Sequence, residues 1–127
     1  MPFRFQKHYS IEEARALLPQ VRQWLTELRH LRERLKKSDD RIGQMIAGGS
    51  DAGGASVNAQ VKLLADIQDL LQEFTRREIQ IKDLERGLID FPAIIGGKEV
   101  FLCWEQDEDD IEFWHNLETG YAGRERL

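Results

Sequence analysis

The stretch GLIDFPAIIGGKEVFLCWE, Gly87 to Glu105, decides the fold. It holds two apolar runs, Leu88–Ile95 and Lys98–Glu105, separated only by Gly96 and Gly97. A Gly-Gly pair between β-rich runs predicts a tight hairpin turn of primed type, because both glycines can take positive φ without a steric cost. The second run sets Val100, Leu102 and Trp104 on one face and Phe101 and Cys103 on the other. Apolar on both faces, it reads as the central strand of a small sheet. Pro92 has no amide to give a ladder and fits an edge or a strand start. Further on, an acidic turn (EQDEDDIE, Glu105–Glu112) leads into IEFWHNL, Ile111–Leu117, a third strand. The expectation is a three-stranded antiparallel meander over about residues 88–117, followed by a short Gly-punctuated tail, GYAGRERL.

Before Gly87 the apolar period becomes helical. Ser10 and Glu13 have the spacing of a capping box, in which each side chain satisfies the other's backbone amide, and Tyr9 can staple onto Ala14. A helix should therefore start at Ile11. Its apolar stripe runs Ile11, Ala14, Leu18, Val21, Leu25, Leu28, Leu35, Ile42 and Ile46, with a third file at Leu17, Trp24, Leu31 and Met45. Pro19 should bend its start. Arg32, Ser38 and Asp39 interrupt the stripe, which predicts a break or fraying near Ser38 and a weaker segment to about Ala47. AGGSDAGGAS, Ala47–Ser56, cannot hold a helix and reads as a flexible connecting loop with a mobile tip. A phosphate-cradling reading of these glycines is the minor alternative, because no strand precedes them and no Gly-Lys-Ser/Thr follows. A second helix should run from Ser56 or Val57 to about Arg86, carrying Leu63, Leu64, Ile67, Leu70, Leu71, Phe74, Ile81 and Leu84, with Gly87 as its left-handed cap. The fold class is α+β: a long antiparallel helical hairpin over about residues 10–86, then the meander, in a single domain spanning 1–127.

Composition sets limits on function. A chain of 127 residues has the length of one domain. Its net charge of -5 gives nucleic acid or an anionic membrane nothing to attract as a whole. The basic residues between Arg22 and Arg41 are interleaved with Glu27, Glu33, Asp39 and Asp40 and read as a solvated, salt-bridged face, so a nucleic-acid partner is not expected. One cysteine, Cys103, forms no intrachain disulfide and suits a reducing compartment. No run of about 18 uncharged apolar residues occurs, and the N-terminal MPFRFQKHYS lacks a signal-peptide core. The expected location is cytoplasmic.

GLIDFP (Gly87–Pro92), LCW (Leu102–Trp104), FWH (Phe113–His115) and GYAGR (Gly120–Arg124) occur in this order. In this the chain resembles the bacterial family catalogued as domain of unknown function 2203. The resemblance implies a small protein built from a helical hairpin followed by this signature, over nearly the whole chain, and it implies no activity. The acidic turn departs from the family's usual shorter one, which points function away from that turn.

Asp90, Trp104, Trp114, His115 and Arg124 fall within about forty residues of an otherwise Leu- and Glu-rich chain, and they are the candidate ligand-binding set. Arg binds carboxylate or phosphate in a fork, Trp stacks, and His115 could act as a base oriented by Asp90 or Glu105. Set against this, a small domain needs large aromatics for its core, Asp90 can serve a turn and Arg124 can pair with a carboxylate. Strand parity puts His115 with Ile111 and Phe113, and towards the helices if those are core, with Asp90 as its partner. No metal is expected: His8, His30 and His115 are far apart in sequence, no His-x-x-x-His or Cys-x-x-Cys spacing occurs, and Asp107–Asp110 lacks the ligand alternation of a calcium loop. Cys103 reads as a small buried apolar residue.

Two functions remain. The first is a non-enzymatic, self-associating interaction protein, a homodimer through the helices, because the wide stripe of the first helix exceeds what one partner helix covers. The alternative is a pocket for a small anionic or aromatic ligand, binding or enzymatic, between the β segment and the helices. No catalytic residue and no cofactor is assigned.

Overall fold

The computed structural model describes residues 2–49 and 53–127. It has two helices, α1 (Ile11–Ala47) and α2 (Gly54–Arg76), followed by strands β1 (Gln80–Asp83), β2 (Leu88–Ile95), β3 (Lys98–Glu105), β4 (Phe113–Asn116) and β5 (Glu125–Arg126), with a 3-10 turn at Tyr121–Gly123 before β5. The capping box starts α1 as expected: Glu13 N donates to Ser10 Oγ at 3.0 Å and Ser10 N to Glu13 Oε1 at 3.0 Å. The helix then runs unbroken through Pro19 and Ser38. Burial of Leu18 and Val21 holds the segment around Pro19 against the core, and Gln60 of α2 reaches Asp39 beside Ser38. The expected break is thus overridden by packing. The expected loop tip, residues 50–52, lies outside the described residues, and α2 begins at Gly54 rather than at Ser56 or Val57.

The second helix ends ten residues earlier than its apolar period suggests. Glu78 takes a left-handed φ of 57°. Its amide bonds Thr75 O at 3.1 Å while that of Ile79 reaches back to Phe74 O at 3.0 Å, the paired bonds of a Schellman cap. Phe74 and Ile79 both sit in the core, giving the apolar contact that accompanies such a cap. A glutamate tolerates this position because its carboxylate is employed: Gln6 N and Lys7 N donate to it at 3.0 and 2.8 Å. Residues 80–83 are therefore strand, and Gly87 (φ 65°) sits in the β1–β2 turn instead of capping a helix.

The sheet is five-stranded and antiparallel in sequence order, β1-β2-β3-β4-β5, so the expected three-stranded meander is its middle. The Gly96-Gly97 turn is present, with φ values of 60° and 78° and Ile95 facing Lys98. The two added strands are edges of four and two residues. β1 was hidden inside a helical period and β5 has no apolar alternation.

One sheet face carries Ile89, Phe91, Ala93, Val100, Leu102 and Trp104, which form the core with Ala14, Leu18, Val21, Leu25 and Leu28 of α1 and Phe74 of α2. Three arginines spaced seven apart on α1 tie it to sheet loops: Arg15 donates to Ile111 O, Arg22 to Gln106 O and Glu108 O, and Arg29 to Leu84 O. Part of the basic face expected to be solvated is thus a docking face. No helix among the described residues is long and apolar enough to cross a membrane.

Candidate functional site

The other sheet face holds the unusual chemistry. Counting outward from the two-residue turn sets Asp90 of β2 directly opposite Cys103 of β3. On β4, His115 faces Phe101 and lies diagonally from Cys103. All three side chains leave the sheet on the same side, and they are 1%, 0% and 1% exposed. One ligand atom from each falls within 4.8 Å of the others.

His115 Nε2 lies 2.9 Å from Asp90 Oδ2, the pairing expected from sequence. Its Nδ1 lies 2.7 Å from the carbonyl of Asn116. Burial disfavours a charged imidazole. Hydrogen bonds to Asp90, Cys103 and Asn116, with the charge of Asp90, outweigh that and push His115 up to about 10. The buried Asp90 Oδ1 has no hydrogen-bond partner.

A thin second layer covers this face. The N-terminal segment is clamped across it, with Glu99 accepting from Arg4 N, Phe5 N and His8 Nε2 at 2.8, 3.0 and 2.7 Å. Phe5 packs edge-on against Phe101, which in turn sits beside His115. From the other end, Arg124 places NH1 3.9 Å from Cys103 Sγ and pairs with Glu108 at 2.6 Å. Its guanidinium lies against the rings of both Phe113 and Tyr121, with Arg86 also over Tyr121 and Arg126 over Phe113. Arg86 and Arg126 pair in turn with Glu105 and Glu112. This alternating stack of cations and rings fastens the C-terminal tail over the cluster.

The five sequence candidates therefore separate. Asp90 and His115 pair on the face away from the helices, where Arg124 approaches Cys103. Trp104 and Trp114, which face Ile89 and Leu102, belong to the helix side. Trp104 is fully buried, donates its indole N–H to Glu108 O at 3.0 Å and carries Arg22 over its ring. Parity failed to orient His115 because β4 begins only at Phe113, and Ile111, in the preceding turn, reaches the helix-side core independently. Cys103 was set aside in the sequence, although the register from Gly96-Gly97 already faces it with Asp90. The acidic turn is a structural node, with Glu108 receiving Arg22, Trp104 and Arg124.

No curated protein and no solved structure matches the chain. A family model described as an uncharacterized conserved protein (DUF2203) matches residues 7–127, and the chain belongs to that family.

Proposed function

We propose that this DUF2203-family chain is a metal-binding protein in which Asp90, Cys103 and His115 hold one divalent transition-metal ion of the zinc class. Carboxylate, thiolate and imidazole form the mixed donor set that such a borderline-soft ion takes. Three protein donors leave a fourth position for water or a small ligand. The observation that carries the reading is Asp90 Oδ1, a buried acceptor without a partner inside a cluster whose donor atoms already lie within 4.8 Å. Leaving such an acceptor unpaired costs about 1–3 kcal/mol, which a cation among the three donors removes. The Asn116 carbonyl on Nδ1 also supports the reading: it fixes the ring so that Nε2 faces Asp90, as a carbonyl on the free ring nitrogen of a metal-bound histidine usually does. Binding requires His115 and Cys103 to give up their protons, so metal and protons compete. Sequence spacing argued against a metal because the three donors come from three strands, and no local motif records a cross-strand site. The aromatic part of the earlier pocket reading loses its support, since the two Trp rings pack towards the helices, and Arg124, on which the anionic part rested, already pairs with Glu108.

Titration of the chelator-treated chain with Co2+ tests this. The expected result is one equivalent bound, with a thiolate-to-cobalt charge-transfer band that Cys103→Ser abolishes and His115→Gln weakens. Absence of any thiolate band at stoichiometric Co2+ overturns the reading.

A further inference from the structure

The exposed apolar residues of α2 fall on one line. Val57, Val61, Leu64 and Leu71 are 42%, 58%, 51% and 42% exposed. Steps of four, three and seven place them on a single helical face. The positions within and beside that face are Gln60, Ala65, Gln68, Gln72 and Thr75. None of these nine residues is charged, in a chain of which 32% is. Lys62, Asp66, Asp69 and Glu73 point to the opposite side of the helix. The core lies elsewhere too: α2 buries Leu63 and Phe74, a quarter-turn away from the apolar line.

The third file of α1, which suggested self-association in the sequence, does not supply this surface. Leu31 is buried, and Leu17 and Trp24 pack on the core, with Trp24 against Phe74 of α2 at 5.5 Å. The buried residues of α1 stop at Leu31, and from there the hairpin continues as two helices alone, leaving Ile46 62% exposed. Two helices without a further layer bury too little to be an efficient architecture in water.

We propose that a second copy of this chain docks on the α2 face, α2 antiparallel to α2 across a two-fold axis, so that the two arms complete a four-helix bundle. A two-fold interface brings one patch against itself, so the patch must tolerate its own charge. Most of this acidic molecule would repel its copy, with a net charge of -5. This strip, flanked only by amides, alanine and threonine, does not. The same neutrality offers no attraction to nucleic acid or to a charged peptide. Antiparallel pairing about the strip's midpoint sets Val61 against Leu71, Leu64 against Gln68 and Val57 against Thr75. Every apolar residue then meets an apolar or uncharged partner.

Sedimentation of the full chain over a concentration series tests the pairing, using Leu64→Glu and Leu64→Lys beside the unaltered protein. The unaltered chain should be dimeric. Each variant alone should be monomeric with its helical circular dichroism intact, its dissociation constant raised by more than about tenfold. An equimolar mixture of the two should recover a dimer, since the two copies of residue 64 lie within one turn of each other only across a self-pairing face. A monomeric unaltered chain, a dimer indifferent to both substitutions, or a mixture that stays monomeric overturns the proposal.

Discussion

Asp90 illustrates how much one residue's role depends on what lies across the sheet. Its carboxylate holds the His115 imidazole on one oxygen and leaves the other unpaired, both groups being almost wholly buried. Removing one member of such a pair strands the other charge in a low-dielectric interior. Asp90→Ala in the chelator-treated protein should therefore lose about 3–5 kcal/mol of stability by urea denaturation. Replacing both members together, Asp90→Val with His115→Phe, should lose much less, because no charge remains alone. Equal losses would show that a stranded charge is not what destabilises the single variant. Asp90 opposite Cys103 was legible from the Gly96-Gly97 turn, since a two-residue hairpin fixes every pair along its strands. His115 was legible as a candidate but not as a neighbour of Cys103. The acidic turn before β4 has no register signal that counting could follow.

At the scale of elements, the end of α2 shows a local preference overruled by distant groups. Leu84 and Leu88 continue the helical period, yet the helix stops at Arg76 because the N-terminal segment meets the chain there. Glu78 receives the amides of Gln6 and Lys7, and the Tyr9 hydroxyl donates to Arg77 O at 2.8 Å. Tyr9 N donates to Pro92 O at 2.7 Å, joining the same segment to the sheet. Burial above all pushes Tyr9 up to about 12 from its usual 10, with Arg77 partly opposing. The unfolded chain thus ionises this phenol near 10, while the folded chain keeps the proton until about 12. Its contribution is present below the unfolded value and is lost as pH rises through the folded one. Thermal stability should fall between about pH 10 and 12 and level off only as the Tyr9 phenolate appears in the folded chain, and Tyr9→Phe should flatten that fall. A fall of the same size in Tyr9→Phe would count against this assignment. The capping box at Ser10 was legible because both of its partners lie within one turn. The Schellman cap was not, because nothing in the sequence marks a glutamate as the left-handed residue.

Across the whole molecule, the helices and the sheet share one core through α1, so the body should unfold in a single urea transition, with Trp fluorescence and far-ultraviolet circular dichroism coinciding. Non-coincident curves would separate the helices from the sheet. Amides in the hairpin arm, Lys37–Ala47 and Gly54–Gln60, should exchange faster than those of β2 and β3, because few buried apolar contacts hold the arm in one copy. The sequence by itself determined the start of α1, the two long helices, the Gly96-Gly97 hairpin and the identity of three of the five strands. Each of these rests on interactions within a few residues, or on a regular apolar period, and both are written locally. Only the tertiary structure decided where α2 stops, that two short edge strands extend the sheet, that the wide stripe of α1 is covered within the chain as far as Leu31 while α2 keeps a bare face, and that Asp90, Cys103 and His115 converge away from the two Trp rings. Those outcomes come from burial and hydrogen bonds between residues dozens of positions apart, whose energies exceed the local preferences they override.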